Sequence, residues 1–297
     1  MTITVLDSRA GMQRVLDAPE DARRNAVRAL WQPMAAMYRF APAALDLADV
    51  HSSSFGFDWR TTDPVVGRAL DLLDTADAWA RLEQALALGS AALERATAVD
   101  DLTVLLVLGN PSDRHFMDEL QGLSAFGGIS GYITITLWPT PTVLQRLEAI
   151  AVHELHHNVR YSPSGVLWNP ATVDVGEQVV AEGLADVFAA ELFGDLGWTH
   201  FVAESTRADR AVLAKVVSGA GMTGMQNFTA WVHGDASARR FGVEPVGLPT
   251  GAGYAAGAQL VTAYLERAGG TAAEHVHTPS ASVLETGCRA LGLPRPS

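Results

Sequence analysis

The chain carries near its middle the stretch Ala151-Val152-His153-Glu154-Leu155-His156-His157-Asn158. In a helix, His153 and His157 are four residues apart, so their rings leave the same face about one turn, or roughly 6 Å, apart along the axis. This H-E-x-x-H spacing lets two imidazole nitrogens bind one metal ion. Glu154 follows the first of these histidines, where it can serve as a general base. The stretch therefore predicts half of a metal site, and a third ligand must come from elsewhere.

The helix that carries this stretch is predicted to start at Thr140 and Pro141. Threonine is a good N-cap, and proline suits the first helical position because it lacks the N–H that would be unpaired there. Two faces follow from the helical period. The core face comprises Leu144, Leu147, Ala151 and Leu155, and the second face comprises Ile150, His153, Glu154 and His157.

Two apolar runs before this helix predict a small sheet beside it. Residues 102–108 form a run that is apolar except at Thr103 and is typical of a buried strand. Residues 129–137 alternate between apolar and hydroxylated side chains, which predicts a strand with one wet face that includes Thr134 and Thr136. The segment Phe126-Gly127-Gly128 between the two runs is typical of a turn.

The remainder of the chain is predicted to be helical. Residues 22–38 and 64–99 have helical spacing, with Pro33 ending or kinking the first helix and a loop at residues 51–56. The expected fold class is α+β, predominantly helical, with a small sheet beside the H-E-x-x-H helix. We expect a helical N-terminal region at residues 1–100, packed on a second domain at residues 101–297 that carries the H-E-x-x-H helix.

A third metal ligand is expected from the helix that follows, where Glu182 and Asp186 are four residues apart. A catalytic zinc usually has three protein ligands and keeps one position for water. Glu182 can bind the metal, and Asp186 can accept the N–H on the far side of a liganding imidazole and so fix its orientation. Glu177 is a competing ligand, but no acidic residue stands four positions after it.

With these residues the chain resembles the gluzincin metallopeptidases, which carry H-E-x-x-H on one helix and E-x-x-x-D on a later one. The match consists of His153, Glu154, His157, Glu182 and Asp186. Within that clan, the chain looks like a bacterial group described as predicted zinc-dependent proteases of undefined function. The segment Gly253-Tyr254-Ala255-Ala256-Gly257 also fits that group. The resemblance implies bound Zn²⁺ and a zincin-like metallopeptidase domain at residues 101–297. Its motifs cover roughly residues 129–265.

Three features of the sequence bear on this resemblance. Twenty-four residues separate His157 from Glu182, which is more than in the best-known gluzincins. No histidine stands six residues after His157, so the metzincin pattern is absent. His156 is an alternative partner for His153 at i+3, although we expect it at the rim of the site or behind the ligands.

Catalysis also needs a donor for the oxyanion that forms during attack on a carbonyl. Gluzincins commonly use a tyrosine or histidine for this, and Tyr254 is the leading candidate because it starts a helix after a glycine-rich segment. Tyr254 is equally explained as a residue packed at a helix start, and His233 and Arg160 are weaker candidates. In peptidases of this kind, the strand before the metal helix, here residues 129–137, pairs with the backbone of the substrate.

Composition limits the partners and the location of the protein. A net charge of −12 argues against nucleic acid or an anionic membrane as the main partner. Cys288 is the single cysteine, which excludes a thiolate zinc cluster. The N-terminal residues lack the pattern of a secretion signal, so we expect a cytoplasmic protein.

The sequence thus favours a zinc-dependent peptidase that acts on peptides or proteins, with Glu154 as the general base. The alternatives are a non-hydrolytic, zinc-stabilised binding or stress-related protein on a peptidase scaffold, and a zinc-dependent amidase for non-peptide substrates. Retention of Glu154 disfavours the first alternative, because zinc binding alone needs only the three ligands. The physiological substrate, endopeptidase or exopeptidase action and the oligomeric state do not follow from the sequence.

Overall fold

The apolar run at residues 102–108 forms the central strand of a small sheet in the computed structural model, which describes residues 2–39, 45–61 and 63–294. Within these residues the sheet has four strands: β1 (Ile3–Val5), β2 (Leu102–Leu108), β3 (Leu123–Ile129) and β4 (Tyr132–Leu137). Their order is β1-β2-β4-β3. Strand β2 is parallel to β1 and β4, whereas β3 is antiparallel to β4. The predominantly helical α+β fold with a small sheet is thereby confirmed.

The second predicted strand differs from the observed one in bounds and in surroundings. Strand β4 covers residues 132–137, whereas Ile129 belongs to β3. The expected wet face is wrong, since Thr134 and Thr136 are both buried. Because β4 lies between β2 and β3, both of its edges are paired and it cannot add a substrate strand.

The turn predicted at residues 126–128 is part of strand β3 instead. Glycine disfavours strands on its own, but the ladder between β3 and β4 shifts register between Phe126 and Ile129, where the two glycines lie. A Cβ atom at Gly127 would overlap the carbonyl oxygen of Glu154. Glycine is therefore needed here because strand and helix backbones touch.

The chain divides into two compact units, one formed by Met1–Ser90 and Val99–Asn158 and the other by Ala91–Ala98 and Val159–Ser297. The predicted domains at residues 1–100 and 101–297 remain a prediction. The α-helices that begin in the first unit are α1 (Ser8–Asp17), α2 (Glu20–Trp31), α3 (Leu47–Ser53), α4 (Pro64–Thr75), α5 (Ala78–Leu93), α6 (Pro141–Gln145) and α7 (Leu147–Arg160).

Local sequence explains most of these helix ends. Helix α2 ends at Trp31, and Pro33 lies in the 3₁₀-helix Gln32–Tyr38 that follows, as expected. Helix α4 starts at Pro64, and the break before α5 occurs at Asp77, which has a positive φ of 53°. The loop predicted at residues 51–56 is partly wrong, because α3 extends to Ser53.

The second unit is helical around α8 (Val175–Phe193), whose residues 175–189 are all buried. Asp174 caps this helix, since its side chain accepts a hydrogen bond from the N–H of Glu177 at 2.6 Å. The other α-helices described in this unit are α9 (Glu204–Arg207), α10 (Arg210–Ser218), α11 (Asp235–Arg240), α12 (Ala252–Ala268) and α13 (Ser280–Ala290). Of the helices in the described ranges, none has the length and apolarity needed to cross a membrane.

Candidate metal centre

Helix α7, which carries the H-E-x-x-H stretch, starts later than predicted. Contacts with helix α5 hold it in place. Thr140 caps the short helix α6, and a break at Arg146 separates it from α7. At the start of α7, Glu148 accepts two hydrogen bonds from Arg81, at 2.6 and 2.7 Å. Further along, Val152 packs against Gly89 of α5, where a side chain would not fit. These contacts do not involve His153 and His157, which belong to the candidate site.

Three of the predicted site residues lie together. His153, His157 and Glu182 each offer one ligand atom, and these atoms all lie within 4.8 Å of one another. The Nε2 atoms of the two imidazoles are 3.1 Å apart, and their ring centroids are separated by 4.8 Å. All three side chains are buried. Two imidazole nitrogens and one carboxylate at these distances form a cluster that could hold a metal ion.

Glu154 directly follows His153, Asp186 stands four residues after Glu182, and both are buried. Asp186 is fully buried, and its Oδ1 accepts a hydrogen bond of 2.6 Å from the hydroxyl of Thr199. A buried carboxylate held in this way has a fixed orientation. His156 is completely buried too, so of its two expected positions the one behind the ligands remains a prediction and the one at the rim does not.

Glu177, the competing ligand, is engaged elsewhere. Arg160 binds both of its carboxylate oxygens, each at 2.7 Å, and the Tyr161 hydroxyl donates to one of them at 3.1 Å. Burial and then the charge of Glu177 raise the pKa of Tyr161 well above its usual value, so its phenol stays a neutral donor. The carboxylate that faces the histidines is therefore that of Glu182.

Arg160, a weaker oxyanion candidate, is bound to other parts of the protein. Its side chain is 0% exposed, and its remaining Nη1 group donates to the carbonyls of Val276 at 2.7 Å and Thr278 at 3.2 Å. A buried guanidinium whose three nitrogens all donate hydrogen bonds to the protein is structural. Arg160 thus joins the end of α7, the start of α8 and the segment before α13.

The two other oxyanion candidates lie side by side. Tyr254 is near the start of α12, and its ring centroid is 5.8 Å from that of His233. Phe201 contacts both rings, at 5.3 Å from Tyr254 and 6.3 Å from His233. The helix start is tight, since a side chain at Gly253 would overlap the backbone of Val232. The structure thus pairs a phenol with an imidazole next to a helix start.

Helix α12 crosses α8 at two glycines that sequence analysis did not single out. A Cβ atom at Gly183 would overlap the backbone of Gly257, and one at Gly257 would overlap the carbonyl oxygen of Val179. Gly183 follows Glu182 directly, and Gly257 lies three residues after Tyr254. The close contact therefore fixes the position of one candidate ligand relative to the candidate oxyanion donor.

Comparison with known proteins gives a family. Residues 79–285, which are more than half of the chain, match the family described as "Predicted Zn-dependent protease (DUF2268)". The chain belongs to this family. The matched region includes the H-E-x-x-H stretch and the helix with Glu182. The buried His-His-Glu cluster therefore lies in the part of the chain that the family description concerns.

A relative with a similar sequence is the "Uncharacterized protein YjfC" of Bacillus subtilis (strain 168). It is 35% identical over 160 residues, which are 52% of this chain and 52% of that protein. The chain thus matches about half the length of this curated relative. No solved structure was found to match the chain.

Proposed function

We propose that the protein is a zinc-dependent peptidase of the gluzincin type. The observation that carries this proposal is the buried cluster of His153, His157 and Glu182, with Glu154 directly after the first histidine in the same helix. Two imidazoles and one glutamate are a frequent ligand set of catalytic zinc, which leaves a fourth position for water. The ligand atoms are close enough together to fit such an ion.

The ligands in this proposal are His153, His157 and Glu182. A bound zinc ion would supply Lewis acidity, which makes water more acidic and polarises a scissile carbonyl. The carboxylate of Glu154 takes the proton from the attacking water and passes it to the nitrogen of the leaving amine. Asp186 accepts the N–H of a liganding imidazole, and its bond from Thr199 keeps that carboxylate in place.

Tyr254 and His233 are proposed to stabilise the oxyanion, one or both as hydrogen-bond donors. Their ring contact and their shared neighbour Phe201 support a joint role. The substrate is proposed to be a peptide or protein. Both edges of β4 are paired, and the outer strands of the sheet are β1 and β3. Because β3 contacts the backbone of Glu154 at Gly127, it is the strand proposed to receive a substrate backbone.

The test is the substitution Glu154→Gln, with Glu83→Gln on the exposed side of α5 as its matched control. We expect Glu154→Gln to retain one zinc per chain and to lose about 10²–10⁴-fold in turnover, because the proton acceptor is gone while the ligands remain. Zinc is measured by elemental mass spectrometry, and turnover by cleavage of a broad peptide library.

Two results would count against the proposal. Unchanged cleavage by Glu154→Gln would remove this residue from the mechanism. A wild-type protein with stoichiometric zinc that cleaves no peptide would leave the non-hydrolytic role or a non-peptide amide as the substrate, and a panel of small amides separates these two.

A further inference from the structure

Asn158, the residue after the second histidine of the motif, has no role in the proposed chemistry, yet its side chain is buried and fully bonded. Its Oδ1 accepts a hydrogen bond of 2.9 Å from the N–H of Gly131. Its Nδ2 group donates to the carbonyls of Gly127 at 3.0 Å, Ile129 at 2.8 Å and Tyr132 at 2.9 Å. One side chain on the metal helix thus binds both strands of the β3–β4 hairpin and its turn.

The orientation of this amide follows from its neighbours. Three of the four contacts are carbonyl oxygens and one is an N–H, so the amino group must face the carbonyls. The opposite orientation would bring like groups together at all four contacts. Two hydrogens serve three carbonyls, and one of them is therefore shared. These four contacts therefore require an amide side chain in this one orientation.

The bonds to Asn158 occur where the sheet itself is irregular. The ladder between β3 and β4 pairs Phe126 with Thr134 and then shifts, to resume at Ile129 and Tyr132. At such a bulge, backbone groups lose their partners in the neighbouring strand. Asn158 supplies partners for Gly127 and Ile129 instead. The position of β3 at this point is thus decided by helix α7.

Gly127 adds a second restraint on the same strand. A Cβ atom at this position would overlap the carbonyl oxygen of Glu154, the proposed general base. No side chain therefore separates β3 from the turn of α7 that carries Glu154. The distance between strand and helix is set by backbone contact, and the register along the strand is set by Asn158.

We propose that Asn158 is a positioning residue that locks the edge strand β3 to the H-E-x-x-H helix and so determines which peptide bond of a bound substrate meets Glu154. This inference rests on the proposed function, since a substrate must pair with β3. A slip of one residue along a strand moves every side chain to the opposite face. A loosened β3 would therefore present neighbouring peptide bonds to the same site.

The test uses Asn158→Ala and Asn158→Asp, with Asn110→Ala as a matched control. Asn110 also binds a backbone group, the N–H of Ser112 at 3.0 Å, but in the turn after β2. Asn158→Asp keeps the volume and the acceptor for Gly131 but places an oxygen against three carbonyls. If Asn158→Ala does not fold, Asn158→Asp serves as the test. Three quantities are measured on zinc-loaded protein: amide hydrogen exchange in β3 and β4, zinc per chain, and the kinetics and product masses for a peptide with one cleavage site.

In both Asn158 variants we expect amide exchange in β3 to be about tenfold faster or more, as expected for the loss of a buried hydrogen bond. Zinc per chain should stay at the wild-type value. The KM should rise about tenfold while kcat changes little, and cleavage at bonds next to the original one should appear. Asn110→Ala should match wild type in all three measurements.

Exchange rates at the wild-type level in β3 would overturn the proposal, and so would faster exchange with one unchanged cleavage site and an unchanged KM. Loss of zinc without any change in β3 exchange would assign Asn158 to the metal site and also overturn it. A wild-type protein that binds zinc and cleaves no peptide would refute the proposed function instead. In that case the exchange rates alone still decide whether Asn158 holds β3.

Discussion

Glu177 and Glu182 stand five positions apart on α8 and have different neighbours. Glu177 accepts two hydrogen bonds from the buried guanidinium of Arg160, whereas the carboxylate of Glu182 lies with the nitrogens of His153 and His157. The charge of Glu177 is neutralised by a protein cation. The carboxylate of Glu182 lies instead beside two imidazoles, a set of groups that suits a metal cation.

Removal of each carboxylate should therefore have a different effect. We expect Glu182→Ala to lose zinc and to keep a wild-type circular dichroism spectrum. Glu177→Ala should keep one zinc per folded chain but lower the free energy of unfolding by about 3 kcal/mol or more, because Arg160 would be left buried without its partner. Elemental analysis and urea unfolding of both variants provide the test.

The reverse result has a clear meaning. If Glu177→Ala loses zinc while remaining folded and Glu182→Ala retains it, the third ligand is misassigned. The double substitution Arg160→Met with Glu177→Leu is a useful control, since it removes both charges together. It should recover much of the stability lost in Glu177→Ala.

At the scale of elements, the crossing of α8 and α12 fixes Glu182 and Tyr254 relative to each other within the second unit. The two glycines at the contact are Gly183 of α8 and Gly257 of α12. Glu182 directly precedes Gly183, and Tyr254 lies about one turn before Gly257. Only glycine allows two helix backbones to touch in this way. Any side chain at the crossing must push the helices apart or shift them along each other.

The substitution Gly257→Ala is therefore expected to lower the free energy of unfolding by about 1–3 kcal/mol, because the added methyl group overlaps the Val179 carbonyl. The matched control is Gly67→Ala in α4, where a Cβ atom would meet nothing within 4 Å. This control should leave the stability unchanged or raise it by about 0.5–1 kcal/mol. Chemical unfolding measures both, and equal stabilities of the two variants would contradict the close helix contact.

For the whole molecule, stability at mildly acidic pH depends on a histidine outside the candidate metal centre. His51 in α3 is fully buried in the first unit. Its Nδ1 accepts a hydrogen bond from the Trp31 indole at 3.0 Å, so its Nε2 must carry the proton that it donates to the Phe57 carbonyl at 2.9 Å. Burial is the largest cause that lowers the pKa of His51 to about 4.

The lowered pKa means that the folded chain favours neutral His51. Its contribution to stability is complete above the unfolded pKa of about 6.5 and is lost as the pH falls from there to about 4. We expect this to remove on the order of 3 kcal/mol of unfolding free energy. The measurement is urea unfolding of zinc-free protein at several pH values.

The comparison variant is His51→Gln, whose amide can accept from Trp31 and donate to Phe57 but does not titrate. In this variant the free energy of unfolding should change less between pH 6.5 and about 4 than in wild type, because the contribution of His51 is absent. This holds whatever the absolute stability of the variant is. An identical slope in wild type and His51→Gln would mean that groups other than His51 cause the pH dependence of the unfolding free energy.

Much of the fold and part of the candidate site could be predicted because they depend on neighbours in the chain. The i,i+4 spacing of His153 and His157, the apolar run of β2 and the proline and threonine at helix starts all act within a few residues. Glu182 was predicted from its spacing of four residues to Asp186 and from the resemblance of that pair to the E-x-x-x-D pattern. The predicted zinc and the roles of Glu154, Asp186 and Tyr254 remain proposals about these residues.

The sequence by itself thus determined the helix with the H-E-x-x-H stretch, the central strand and the α+β class. Only the tertiary structure decided that Phe126–Ile129 is part of an edge strand, that β4 is enclosed, that His156 is buried, and that Asn158 and Arg160 bind other segments. The physical reason is the distance along the chain between partners. Asn158 bonds to residues 26–31 positions earlier, and Arg160 to a carbonyl 116 positions later, so no local period or propensity reveals either contact.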